Sequence, residues 1–134
     1  MNILLDTHLA IWFLYDDPRL SDKARSILLN PDNNIYYSVV TSWEILLKHS
    51  HDPKNMLIGV QEFIHVCQES GFLSLNLCNK HISAVESLTP AEGAPEHKDP
   101  FDKLLLAQAK TENFLFLTHD RKFTYYNEPF VISV

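Results

Sequence analysis

Short apolar runs alternate with helix-length amphipathic stretches along this chain, and most of the runs hand over to an acidic residue. Residues 2–6 read as a buried strand, Asn2-Ile3-Leu4-Leu5, ending in Asp6. Residues 7–15 read as a helix apolar on nearly every side, through Leu9, Ala10, Ile11, Trp12, Phe13 and Leu14, so it is buried or meets a partner. Ser21 and Asp22 supply N-cap chemistry for a second helix that ends near Asn30-Pro31 and carries Ala24, Ile27 and Leu28 on its apolar face. Residues 35–39 are β-rich and predict a second strand. Residues 41–49 return to a helical pattern with Trp43, Ile45, Leu46 and Leu47, broken at Asp52-Pro53.

Leu57, Val60, Ile64 and Cys67, with Phe63 beside them, keep the i, i+3, i+4, i+7 spacing of an amphipathic helix that Gly71 terminates. Residues 72–77 predict a third strand and 80–88 a short helix. Residues 89–100 hold Pro90, Gly93, Pro95 and Pro100, and are the candidate for a lid or binding loop. A helix over 101–112, a strand over 114–117 and an edge strand over 130–134 complete the pattern. Alternating strands and helices predict an α/β fold, a three-layer α/β/α sandwich with a mostly parallel sheet. No internal repeat or linker interrupts it, so residues 1–134 are expected to form one domain.

Composition narrows the class without naming it. A hydrophobic fraction of 46%, a charged fraction of 21% and only three glycines are those of an ordinary packed domain. No apolar run reaches the ~18 residues of a membrane span, and the N-terminus lacks the basic flank and cleavage pattern of a signal peptide, so the expected location is the cytoplasm and no membrane contact is expected. In a reducing compartment Cys67 and Cys78 are expected as thiols rather than as a disulfide. The net charge of −6 is opposite to that of a protein holding nucleic acid by bulk electrostatics. Part of that excess, however, sits in a few acids where bound divalent ions would reverse the local sign.

Those acids are Asp6, Glu44, Asp102 and Asp120, each placed just after an apolar run or at a predicted helix start. In a parallel sheet the carboxyl ends of the strands open on one edge, where ligands of α/β proteins bind, so acids distant in sequence share one site there. Each also has a structural explanation. Thr41 as N-cap would put Glu44 at N3 of a capping box; Asp99 can cap a helix with Pro100 at N1 and Asp102 at N3; Thr118 can cap a short turn holding Asp120. Asp6 differs, because it lies between an apolar strand and an apolar helix, where an unpaired charge costs several kcal/mol or forces the acid neutral. A divalent cation is the natural partner for such a cluster.

The four acids stand in Leu4-Leu5-Asp6-Thr7-His8, in Ser42-Trp43-Glu44-Ile45, in the run from His97 through Asp99-Pro100-Phe101-Asp102-Lys103 to Ala109, and in Leu117-Thr118-His119-Asp120-Arg121-Lys122-Phe123. Taken in order, these strings resemble the motifs of PIN-domain proteins, specifically VapC-type toxins of prokaryotic toxin–antitoxin pairs. The resemblance implies a metal-dependent endoribonuclease in which Asp6, Glu44, Asp102 and Asp120 hold Mg²⁺ or Mn²⁺, leaving 5′-phosphate and 3′-hydroxyl ends. Thr7 and Thr118 match positions that support the site by hydrogen bonding, and Asp99 is placed with them as a cap. Lys103 stands where arginine is common, and residues 48–55 match poorly.

Within that reading Asp6 and Asp102 are the principal ligands, Asp120 a ligand directly or through water, and Glu44 a ligand or the base for the attacking water. All-carboxylate ligation suits Mg²⁺ or Mn²⁺ over zinc, and His49 and His51, at i, i+2, do not share a helix face. His97 and His119 adjoin the acids and are candidates to touch phosphate, as are Lys48, Lys98, Lys103, Arg121 and Lys122 at the rim. Trp12, Trp43 and the phenylalanines are expected in the core. The apolar 7–15 and 57–71 stretches exceed what one small core buries, which predicts a homodimer and a groove for a cognate antitoxin. Two rival readings fit the same strings: a PIN-like module that binds RNA or protein without cutting, and a DNA-directed nuclease of the same broad fold group.

Overall fold

The computed structural model describes residues 1–134. Five strands, β1 (Asn2–Leu5), β2 (Asn34–Ser38), β3 (Leu73–Leu75), β4 (Leu115–Thr118) and β5 (Val131–Ser133), alternate with six helices. The helices are α1 (Thr7–Leu14), α2 (Asp22–Leu29), α3 (Val39–His51), α4 (Val60–Glu69), α5 (Asn79–Ala84) and α6 (Pro100–Glu112), with 3-10 turns at Val85–Ser87 and Arg121–Tyr125. The strands lie in the order β3-β2-β1-β4-β5 and every pairing is parallel, including the edge strand β5.

A parallel sheet needs cover on both faces, and the strand residues show it. Ile3, Leu5, Ile35, Tyr37 and Leu117 face a core shared with Leu9, Ala24, Leu28, Phe63 and Cys67. Leu4 and Phe116 point the other way, into a second core with Leu105, Leu106, Ala109 and Phe123. Helices α1, α2 and α4 therefore cover one face and α6 the other, giving the three-layer α/β/α sandwich. Burying each of the large side chains, such as Phe63 or Phe116, contributes roughly 1.5–3 kcal/mol.

Local chemistry sets most boundaries. Ser21 caps α2 through its hydroxyl, which accepts from Ala24 N–H at 3.1 Å, and Gly71 takes φ 79° where the chain leaves α4. Three expectations change. Helix α3 begins at Val39 rather than Thr41, because Ser38 is the cap: its hydroxyl accepts from Val40 N–H and donates to Gln108 of α6. Leu57 lies outside α4 and is 82% exposed, since the helix starts only after Gly59. Trp43 is 55% exposed rather than in the core, because α3 turns that side away from both clusters.

The chain order creates a crevice. From β1 the sheet grows one way through β2 and β3, then resumes on the other side of β1 with β4 and β5. Strands β1 and β4 thus flank a topological switch point, and the space over their carboxyl ends is where such sheets bind ligands.

Candidate active site

Asp6 sits at the end of β1 with the backbone geometry of an N-cap, φ −63° and ψ 147°, yet its side chain caps nothing. The carboxylate turns instead to β4, where Thr118 donates to Oδ2 at 2.8 Å. The same Thr118 oxygen accepts from Asp120 N–H at 3.0 Å, so one hydroxyl ties the ends of both switch-point strands together. Asp120 is half-buried, and its Oδ1 accepts from Lys122 N–H at 2.9 Å, making Asp120 itself, not Thr118, the side-chain cap of the 3-10 turn.

Glu44 arrives from α3, at its sixth residue rather than its third, and is buried. Thr7 donates to Oε1 at 2.7 Å and is 3.1 Å from Thr41 Oγ1. Because Thr7 has one hydroxyl proton, and Glu44 takes it, Thr41 is the donor in that second contact. Lys48, one turn further along α3, donates to Oε2 at 2.5 Å. Asp102 comes from the start of α6, where Asp99 caps as expected, accepting from the backbone N–H of Phe101 and Asp102, with Pro100 opening the helix. Asp102 Oδ2 is 2.9 Å from Nε2 of His97.

The structure therefore brings Asp6, Glu44, Asp102 and Asp120 near enough for their charges to act on one another, with Thr7 and Thr118 as bridges. Burial pushes the Asp6 carboxyl up to about 7; the Thr118 bond pulls against this, while the charges of Asp120 and Glu44 add to it. Asp102 is pushed up to about 8 by burial and by the charges of Asp99, Asp6, Glu44 and Asp120. Burial lowers the Lys48 pKa, but its bond to Glu44 and the charges of Glu44, Asp99 and Asp102 outweigh it, and the net shift is upward. A group of like charges this close is held apart from its preferred ionisation, which a cation would relieve.

Each aspartate presents one anchored oxygen: Oδ2 of Asp6 on Thr118, Oδ2 of Asp102 on His97, Oδ1 of Asp120 on Lys122 N–H. No side chain holds the other oxygen of each; Asp6 as a residue is only 4% exposed, and a backbone contact from Thr7 also favours its charged form. Glu44 alone has both oxygens taken. No three His, Cys, Asp or Glu side chains converge closely enough to hold a metal ion between them. A cleft of about 230 Å³ lined by Asp6, His8, Trp12, His119 and Asp120 leads in from solvent.

Several partners escape sequence reasoning. His97 is buried among Phe123, Tyr125 and Tyr126, so it holds Asp102 rather than reaching for phosphate. Its Nδ1 is the one buried side-chain polar atom without a partner. Burial lowers its pKa, so the pair with Asp102 is drawn toward two neutral groups rather than an ion pair. Lys48 is a partner of Glu44, at the i, i+4 spacing that places two side chains on one helix face. Thr41 serves Thr7 rather than a helix cap. His119 is exposed, its Nδ1 2.6 Å from the Val134 carbonyl and its ring edge-on to Trp12. His49 Nδ1 is 2.8 Å from the Met56 carbonyl, which occupies it in a local contact. The loop over 89–99 is pinned at its start by Ala91 N–H to Tyr125 and Asn127 N–H to Thr89. It walls a cavity of about 380 Å³ with His97, Lys103, Tyr125 and Tyr126.

An all-parallel sheet with carboxylates gathered over its switch point defines an α/β protein with an acidic site at the carboxyl edge. The chain belongs to the PIN domain family, which matches residues 3–129. Among solved structures it is similar to VapBC2 from Rickettsia felis bound to a DNA fragment from its promoter, at 18% identity and TM-score 0.66, covering 100% of this chain and 98% of that one. DNA-bound VapBC from Salmonella typhimurium is similar at 15% identity and TM-score 0.68, covering 99% and 98%. A toxin–antitoxin complex from Klebsiella pneumoniae is similar at 21% identity and TM-score 0.59, covering 98% and 96%. At these identities the likeness is one of fold. No curated protein matches the sequence significantly.

Proposed function

We propose that residues 1–134 act as a single PIN nuclease domain, a metal-dependent endoribonuclease toxin restrained by a cognate antitoxin. The observation that carries this reading is the set of three aspartates, each with one oxygen held by a named partner and no side chain on the other, around the switch-point crevice. Mg²⁺ and Mn²⁺ take hard oxygen ligands and keep several waters, so one or two carboxylates plus substrate phosphate suffice and a closed cage is not required. The carboxylate oxygens present are of the hard type such an ion takes.

Asp6 and Asp102 would hold it, with Asp120 joining directly or through water. When bound, the ion supplies charge neutralisation at the scissile phosphate and acidifies the attacking water. Thr118 and His97 fix the rotamers of Asp6 and Asp102, and Asp99 fixes the helix start that delivers Asp102. Thr7 holds Glu44 Oε1, placing Glu44 as a further ligand or as the base that accepts the water's proton. Lys103, Arg121 and Lys122 lie next to site residues in the chain and offer positive charge to RNA phosphates. Chemistry of this kind needs the four acids as charges, not as shapes.

Apolar surface supports the partner assignments. A groove of about 530 Å³ lined by residues that include Ile11, Trp12, Tyr15, Met56, Leu57 and Ile58 borders the site through His8. It suits an apolar antitoxin segment, and the similar structures named above are themselves toxin–antitoxin complexes or VapBC assemblies. Trp43 overhangs a separate cleft of about 280 Å³ with Val39, Leu77, Phe101 and Leu104, which suits a second copy of the chain. No helix is long and apolar enough to cross a membrane, and we place the activity in the cytoplasm.

The test is cleavage of total RNA by purified protein with Mg²⁺, followed by mapping of new 5′ ends, for wild type and Asp6→Asn. Discrete cuts made by wild type alone support the reading. RNA binding without cutting by both folded proteins would replace it with a non-cleaving module, and cutting of DNA alone would move the substrate.

A further inference from the structure

Glu44 differs from the three aspartates in having both oxygens bonded to side chains. Its side chain is 3% exposed, while Lys48, which closes Oε2, is 40% exposed. The lysine therefore reaches from solvent down one turn of α3 to a carboxylate inside the site. It is the one lysine or arginine in an ion pair with any of the four acids. Its ammonium also lies in range of the Asp99 and Asp102 charges. A buried carboxylate without a partner costs several kcal/mol, so Glu44 needs some cation in the metal-free protein.

We propose that Lys48 is the resident counter-ion of this site and competes with a divalent ion for Glu44. It neutralises Glu44 and occupies Oε2, the carboxylate oxygen that Thr7 does not hold. A divalent ion among the aspartates repels the ammonium, whose flexible four-carbon stem lets it withdraw toward the solvent it already touches. Glu44 Oε2 then opens toward the ion. Lys48 is on this account a positioning residue, controlling when Glu44 becomes available. The inference rests on the metal-binding reading above.

The test is titration of Mn²⁺ into the full chain without RNA, followed by calorimetry or by the electron paramagnetic resonance of free Mn²⁺. Lys48→Met is expected to bind Mn²⁺ about tenfold more tightly than wild type, and Lys48→Arg about as wild type does. In a Glu44→Gln background the gain from Lys48→Met should shrink to within about twofold, because the competed oxygen is gone. Lys48→Gln replaces Lys48→Met if circular dichroism shows the latter unfolded. Unchanged or weaker affinity in the folded Lys48 variants would overturn the proposal. An equal gain in the Glu44→Gln background would overturn it too, by showing that the lysine acts only through its general field. Wild-type binding with no response at Lys48 sinks this inference alone, whereas Mn²⁺ binding by neither wild type nor Lys48→Met sinks the metal reading with it.

Discussion

Thr118 and Asp6 are 112 residues apart in sequence, yet the Thr118 hydroxyl donates to Asp6 Oδ2 at 2.8 Å inside the protein. The contact joins the ends of β4 and β1, and its acceptor side takes the Asp120 N–H. One buried oxygen thus sets the spacing of two of the four acids.

Thr118→Val keeps shape and removes both bonds. It should lower RNA cleavage and Mn²⁺ affinity by roughly 10–100-fold, the usual cost of losing a group that orients a metal ligand. Stability should fall by about 1–3 kcal/mol, because the Asp120 N–H and Asp6 Oδ2 lose partners. Urea unfolding alongside the two assays separates the effects. A variant destabilised to that extent but fully active would show that Thr118 serves the fold and not the site.

Stability of the metal-free protein should depend on pH in a direction opposite to ordinary acid denaturation. Asp6 and Asp102 are raised to about 7 and about 8 from 3.8, so between those values the folded chain holds protons that the unfolded chain has released. Their stabilisation is complete below about pH 4 and is lost as pH rises through the folded values. His8 and His97 are lowered, chiefly by burial, and oppose that slope below about pH 6.5. The net fall should therefore be plain from about pH 6.5 up to the folded values near 7 and 8 and flatten above them. Mg²⁺ or Mn²⁺ should reverse it, raising the melting midpoint by roughly 5–10 °C at pH 8 and little at pH 5. Equal shifts at both pH values would contradict ionised carboxylates as the ligands.

The parallel sheet was legible because each strand is a short apolar run, and Asp6 stood out because an acid closes the most apolar of them. What pairs with what was not legible. The 3-2-1-4-5 order that sets Thr118 against Asp6 comes from packing on both sheet faces, which no local pattern encodes. The start of α3 is hidden in the sequence because Val39 and Val40 are β-branched and extend the strand-like run. Gln108, on the opposite helix layer, holds the Ser38 cap that decides it. Asp99 was readable as a cap because Asp-Pro at a helix start is local chemistry. His97, by contrast, reaches Asp102 across the bend before α6, a contact that no helical or strand spacing rule describes.

Trp43 is large, apolar and 55% exposed, and sits over a cleft floored by Phe101 and Leu104. On the dimer reading proposed above, a second copy covers this patch. Trp43→Glu should leave the fold intact and convert a dimer to a monomer, read by light scattering across a concentration series. A wild-type monomer at every concentration, or a variant that dimerises as wild type does, would remove this face from the assembly.

Asp6→Asn should abolish cleavage while making the metal-free protein more stable at pH 8. Asn keeps the size of the side chain and an oxygen to accept from Thr118, but carries no charge into a site that is 4% exposed. Above its raised pKa, wild-type Asp6 must be ionised beside Asp120 and Glu44, and the variant is relieved of that cost. The gain should be on the order of 1–3 kcal/mol at pH 8 in chelator. It should be smaller at pH 5, where the folded wild-type carboxyl is already neutral, and vanish only below about pH 4, while saturating Mg²⁺ should reverse it by stabilising only the wild type. Urea unfolding under these three conditions tests the ordering. Loss of stability at pH 8 in chelator would mean that the Asp6 charge is already compensated within the chain, and that no cation is needed to hold it.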